Sequence, residues 1–460
     1  MNQLVTTVRS RVDTCSAHAN QWHAFAAAWL GAFFDGFDAT IFVMVLVPAL
    51  SELLGTGDNA TIGRYGSYVL AAFMTGWAVG AVIFGLLADR IGRAKTMMIT
   101  ILTYAFCTGL CALAHSWQEL ALYRFLVGCG IGGEIGISGI IVAETWRGSS
   151  RYQAMGVMVS AFGFGYLATS LLNLCCGSMG WRYLFFVGIT PALLTFYVRA
   201  KLKDTEEFGF ICEARKRASR KAFSERTDGE HALLKNPFLE LFSVKNRHST
   251  LIVATMASSC IMGYWSVQSW IPAWINQITG TAAVAERSYV TICMNLGLIA
   301  CAFVGGKLVE KFGRSRCFFF GSLASFLCCL GMFTTVKSFG LPLLLWAFAI
   351  GAVSILPFVV LFIYVPELYE TRIRGTAFGF SYNSGRLFAA VAAIFGGQII
   401  ANFGGSYSIG AASLSSVYLI GVIASFFMPE TNSNVQQFTD LEASSPALSE
   451  ATVSHSPALV

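Results

Sequence analysis

Apolar residues run in long stretches along most of the chain, and polar residues gather in short clusters between them. Stretches of about 18 or more such residues recur, and each can cross a hydrocarbon layer of about 30 Å as a helix. They are too long and too uniformly apolar for the two-residue alternation of a barrel strand, and within lipid only a helix or a closed barrel satisfies its own backbone. The pattern predicts twelve helices: Ala24 to Leu50, Tyr65 to Ala88, Thr96 to Ala114, Trp117 to Ala143, Met155 to Cys176 and Trp181 to Ala200, then Thr250 to Trp274, Val290 to Val309, Cys317 to Val336, Leu341 to Val365, Thr376 to Ala401 and Ser406 to Met428. Residues 1–23 read as a polar N-terminal segment. Residues 201–249, rich in Lys, Arg, Glu and Asp, read as a connector able to hold a short surface helix. Residues 429–460, rich in Ser, Ala and Pro, read as a disordered tail.

Two polar patterns occur twice. After the second helix, Gly85, Asp89, Arg90, Gly92 and Arg93 are matched after the eighth by Gly306, Glu310, Lys311, Gly313 and Arg314. After the fourth, Glu144, Arg151 and Gly156 are matched after the tenth by Glu367, Arg374 and Gly379. A common offset of about 222 residues implies duplicated halves, 24–200 and 250–428. The fold class expected is an all-α membrane protein with 12 transmembrane helices in two pseudo-repeated six-helix bundles.

Composition fits this picture: 55% of the 460 residues are hydrophobic and 12% charged, against about 25% charged in a soluble domain. The net charge of +6 points to basic loops rather than to nucleic acid. With the N-terminus inside, about 25 basic residues fall in cytoplasmic segments, while Arg64, Arg182, Arg287 and Lys337 fall outside. The expected location is the cell inner membrane, multi-pass, with both termini cytoplasmic. The polar stretch Met1 to Asn20 has no cleavage pattern, so the first helix serves as its own insertion signal. Thirteen cysteines are scattered, mostly within apolar runs, without zinc-like spacing. They read as small packing residues, and neither a metal nor a cofactor is expected.

Charges inside the spans carry the chemistry: Asp35 and Asp38 in the first helix, Arg124 and Glu134 in the fourth, Arg386 in the eleventh. At roughly 2.5 to 3.5 kcal/mol each near the bilayer centre, they must avoid lipid. Asp35 and Asp38 share one helix face, and two close carboxylates in a cavity of low polarity suit proton exchange. Arg386 offers bidentate recognition of a carboxylate and sits on one face with Tyr382 and Asn383. Its alternative role is pairing with Asp35 or Asp38. Phe34, Phe37, Tyr264, Trp265, Trp270 and Tyr382 supply aromatic surface for a small organic solute. Around the repeated loops, Gly85 and Gly92 permit a tight turn. Asp89 can accept from a neighbouring helix amino terminus, and Arg90, Arg93 and Arg314 can meet Glu144 and Glu367. With Glu310 in the matching acidic position, these form a candidate gate. The alternative reading of the loops is positive-inside charge alone.

The Gly85 to Lys95 motif, its echo at Gly306 to Arg316 and the run Arg124 to Glu134 resemble the signatures of the major facilitator superfamily. Within it, Gln21 to Gly31 followed by Asp35-Gly-Phe-Asp38, the stretch Tyr264 to Pro272 with Gln268, and Tyr382-Asn383 are similar to the sialate:proton symporters. The aromatic-acid:proton symporters are near neighbours. The chain departs from bacterial sialate permeases in having no enlarged middle with two extra helices and in carrying an arginine at position 386, which leaves the substrate open. The resemblance implies secondary active uptake of a small organic acid with protons, by a monomer among membrane lipids. Asp35, Asp38 and Glu134 would carry protons, and Arg124, Arg386, Asn383, Gln268, Phe34 and Tyr382 would contact substrate. The alternatives are a carrier of a neutral sugar, polyol or drug, an exporter, or a nutrient sensor without turnover. No assembled nucleophile, histidine and acid set supports an enzyme.

Overall fold

A computed structural model of the chain describes residues 2–429 except 147, 177–178, 203–205, 222–223, 225, 228–230, 232–233, 280–283 and 393–405. The expected tail beyond residue 429 and the end of the expected eleventh helix lie outside the described residues. The first half holds α1 (Asn2–Leu54), α2 (Asn59–Ile91), α3 (Arg93–Ala112), α4 (Trp117–Thr145), α5 (Gly148–Cys176), α6 (Trp181–Val187) and α7 (Ala192–Lys201). The connector carries α8 (Glu206–Arg220) and α9 (Pro237–Glu240). The second half holds α10 (Arg247–Thr279), α11 (Val284–Phe312), α12 (Arg314–Thr335), α13 (Leu341–Leu368), α14 (Arg374–Ala377), α15 (Tyr407–Ser415) and α16 (Tyr418–Ser425). Ten stretches among the described residues are long and apolar enough to cross a membrane, the sixth of them spanning α6 and α7. With α10 and the helix entered by α14, the architecture is the twelve-helix fold.

Several boundaries differ from the sequence reading for visible reasons. Helix α1 starts at Asn2, not Ala24, because no proline and no glycine interrupts the chain before Gly31. The sixth span breaks between Val187 and Ala192, where Pro191 lacks the donor that a continuous helix needs. The twelfth breaks at Ser416 and Val417, whose amides bond three residues back instead of four. In the eleventh, α14 passes into a π-helical turn, Phe378–Tyr382, before helix resumes over 385–392. Helix α4 begins where its sequence dictates: Ser116 accepts from the Glu119 amide at 3.2 Å, and the Glu119 carboxylate accepts from the His115 amide at 2.9 Å.

Packing repeats the duplication. In the first half α2 lies along α4, and in the second α11 lies along α13. Between the halves, α5 packs on α11, and α2 packs on α14 and the π turn. Glycine sets how near these helices come: a Cβ on Gly85 would lie 2.6 Å from the Gly375 carbonyl oxygen, and one on Gly156 would lie 2.5 Å from that of Ala302. The turns between α2 and α3 and between α11 and α12 pass through Gly92 (φ 107°) and Gly313 (φ 86°), where a side chain would be strained. That strain explains why glycine recurs there.

Candidate functional site

Helix α14 begins without a cap of its own. Its first amides are satisfied from the other half: Asp89 at the end of α2 accepts from the Gly375 and Thr376 amides at 3.1 and 2.8 Å and from the Thr376 hydroxyl at 2.8 Å. A buried carboxylate at a helix amino terminus answers both the unpaired donors and the helix dipole. Arg93 lies 3.5 Å from Asp89 and 3.3 Å from Glu144, and Arg374 lies 3.1 Å from Glu144, so two acids and two arginines join both halves. In the second half, Arg314 forks onto Glu367 at 2.9 and 3.1 Å and donates to the Tyr152 hydroxyl of α5. Arg90 and Glu310 are exposed and stand apart from these pairs.

Two ties at this face were invisible in the motifs. Arg215 of α8 donates to the Asp89 carbonyl at 2.7 Å. Arg372 pairs with Glu240 and Glu370, and Lys245 reaches Glu370 at 2.7 Å. Burial pushes the Glu370 carboxyl up, but the hydrogen bonds from Lys245 and Arg372 and their charges outweigh it and hold that carboxyl below its ordinary value. Replacing Asp89 by Asn should slow transport and open this face, since α14 loses its charged cap. Cysteine labelling of positions on the two faces measures the shift, and an unchanged pattern would reduce the loop to a source of surface charge.

Deeper in the first half, Asp38 of α1 and Arg124 of α4 form an ion pair at 2.9 Å, both fully buried. Thr108 of α3 donates to the other Asp38 oxygen at 2.5 Å, and the guanidinium stacks 4.3 Å from the Phe73 ring centroid. Glu134 accepts from Thr100 at 2.8 Å and Ser138 at 3.2 Å, lying against Gly31 of α1. Asp35 is as deeply buried, yet neither carboxylate oxygen has a hydrogen-bond partner.

Between the halves lies a cavity of about 50 Å³ walled by rings: Trp77 of α2, Phe162 and Tyr166 of α5, Tyr264 and Trp265 of α10. Phe358 and Phe362 of α13 and Tyr382 and Arg386 of the eleventh helix continue the wall, and Ile135, Val159, Leu298 and Ile355 fill in between the rings. The Arg386 guanidinium sits 3.6 Å from the Trp77 ring centroid, and its Nε donates to the Asn383 side chain at 2.8 Å. No carboxylate among the described residues is in ion-pair contact with it. The indole Nε1 of Trp77 and the Tyr264 hydroxyl are buried without partners. A larger hollow of about 430 Å³ on the flank of α13, lined by Leu341, Pro342, Leu345, Trp346 and Ala349, lacks charged groups.

Residues 24–437 match the family described as "Sugar (and other) transporter". The chain belongs to that family. It is therefore a secondary transporter of the major facilitator superfamily and a multi-pass membrane protein, not an enzyme. This transporter is 29% identical to the cis,cis-muconate transport protein of Acinetobacter baylyi, over 90% of this chain and 96% of that one. It is 26% identical to the sialic acid transporter NanX of Escherichia coli, over 89% and 95%. Its fold matches the proton:xylose symporter XylE with a TM-score of 0.72 at 18% identity, over 89% of this chain and 95% of that one.

Of the residues singled out from the transporter's sequence, Tyr264, Trp265, Tyr382 and Arg386 reach the cavity wall and Asn383 orients Arg386. Arg124 is instead engaged by Asp38. Phe34 packs against Phe33, and Gln268, half-buried with an unpartnered Oε1, is not part of the wall. The side chain of Trp270 lies outside the described residues. Trp77, Phe162, Tyr166, Phe358 and Phe362 were missed, because an aromatic residue within an apolar run carries no sign of the face it occupies.

Proposed function

We propose that the transporter carries a small organic acid together with protons, by rocking of 24–200 against 250–428. One observation supports the anionic substrate above the others: Arg386 is a buried guanidinium on the cavity wall with no carboxylate of the described residues in contact. Its Nε is held by Asn383 and one face is covered by Trp77, which leaves its terminal nitrogens to an incoming acid. The ring-lined wall favours a planar or largely apolar body behind the carboxylate. Relatives named for muconate and sialic acid, both acids, agree with this reading.

The cavity, about 50 Å³, is far smaller than the roughly 300 to 1,000 Å³ typical of ligand pockets, so substrate entry requires the halves to move. The buried acids Asp35 and Glu134 serve as proton carriers, with Asp38 held in reserve by Arg124. The Asp89 and Glu144 network latches the cytoplasmic face of an inner-membrane monomer, both termini cytoplasmic and lipid around its flanks. Proteoliposomes loaded with buffer and given labelled benzoate, cis,cis-muconate, sialic acid or xylose under an inward proton gradient test the substrate class. Accumulation of one or more acids and not of xylose is expected. Accumulation of xylose alone would contradict the proposal.

A further inference from the structure

We infer that the connector between the halves belongs to the substrate site: its residues 238–242 clasp the π turn of the eleventh helix and so hold the Arg386 guanidinium on the cavity wall. The inference rests on the organic-acid reading above, in which Arg386 meets the substrate's carboxylate.

The π turn Phe378–Tyr382 fits one residue more into a helical turn than an α-helix does. Every side chain beyond it is therefore turned by about 100° from its α-helical register. Within and after the turn, the Asn383 side chain donates to the Gly379 carbonyl at 3.2 Å and accepts from the Arg386 Nε at 2.8 Å. The aim of Arg386 thus depends on the turn, and so does that of Tyr382, which closes it. A π turn is rare, and contacts particular to it must favour it over the regular helix.

Three such contacts come from the connector. Phe380, in the middle of the turn, is packed by the rings of Phe238 at 5.4 Å and Phe242 at 5.3 Å, edge to face, and those two rings lie 5.6 Å apart. A chain of hydroxyls makes the second tie. Thr250 donates to the Leu241 carbonyl at 2.9 Å and accepts from Tyr369 at 3.0 Å. Each hydroxyl has one proton to give, so in the 3.4 Å contact between Tyr369 and Ser381 of the π turn the donor is Ser381. The third tie is the ion pair of Glu240 with Arg372, two residues ahead of α14. None of these residues lines the cavity. They act on substrate through the register of the helix: without them the turn relaxes to α-helix, and Arg386 rotates away from Trp77 and from an incoming acid.

Benzoate and its amide, benzamide, are the probes. Phe238→Ala with Phe242→Ala removes both rings at positions outside the cavity and outside the spans. In the purified full-length protein this variant should bind benzoate roughly tenfold or more weaker than wild type, as for a charge-assisted hydrogen bond lost. Benzamide affinity should stay nearly the same. Phe238→Tyr with Phe242→Tyr keeps the rings and should retain benzoate binding. In an Arg386→Gln background the double-alanine change should cost little more, because the clasp works through Arg386. Unchanged benzoate affinity overturns the inference. So does a loss shared equally by benzamide, the mark of a clasp that only biases the cytoplasmic gate, and so do losses that add fully with that of Arg386→Gln. A second arm needs no ligand: amide hydrogen exchange over residues 378–386 should quicken in the double-alanine variant. Exchange as slow as in wild type overturns the clasp whatever the substrate. Failure of benzoate, cis,cis-muconate and sialic acid alike to bind wild type would instead sink the organic-acid reading, with exchange over the π turn still deciding the clasp.

Discussion

Replacing Arg386 by Gln should abolish useful binding of the transported acid. Removing one member of a buried, hydrogen-bonded charge pair costs about 2 to 5 kcal/mol, or roughly 30-fold to several thousand-fold in affinity. Arg386→Lys should be intermediate. A point charge replaces a bidentate fork, and the stacking on Trp77, 3.6 Å from centroid to guanidinium carbon, is lost. The amide of the same substrate should bind equally poorly to wild type and variant. Equilibrium binding of acid and amide to purified protein measures all of these. Carboxylate affinity retained within a few-fold in Arg386→Gln would make Arg386 a structural residue.

The second large effect falls on the Asp38 and Arg124 pair. Both side chains are fully buried and 2.9 Å apart, so Arg124→Gln strands Asp38 and should cost about 3 to 5 kcal/mol of stability. The double change Arg124→Gln with Asp38→Asn should regain much of that, because replacing both members of a buried pair is often close to neutral. Thermal unfolding of the purified variants measures the cycle. An Arg124→Gln variant as stable as wild type would mean that the ion pair does not hold α1 to α4.

How much of this was legible in the chain follows from what each signal encodes. Long apolar runs report membrane crossing, and the doubled spacing of Gly85, Asp89 and Gly92 with Gly306, Glu310 and Gly313 reports the duplication. The turns at Gly92 and Gly313 explain the second recurrence directly, since both hold positive φ. Charge inside a span reports that a residue avoids lipid. It does not report its partner: Arg124 and Arg386 look alike in sequence, yet one is held by Asp38 and the other touches no acid among the described residues. Nor does the duplication fix equal use of the two loops, because Asp89 caps α14 while Glu310 is exposed. The π turn at Phe378–Tyr382 left no mark in the sequence, and it sits just before Asn383 and Arg386. Where it displaces the helical register, a face drawn from 3.6-residue periodicity ceases to be accurate.

Proton coupling is tested by following substrate and protons together. Purified transporter in liposomes, with no imposed gradient and little buffer outside, is given the acid it binds, and external pH is recorded beside substrate entry. Alkalinisation that tracks uptake in a fixed ratio is expected, and its loss in Asp35→Asn while exchange of labelled for unlabelled substrate continues. Substrate entry without any change in external pH would contradict it.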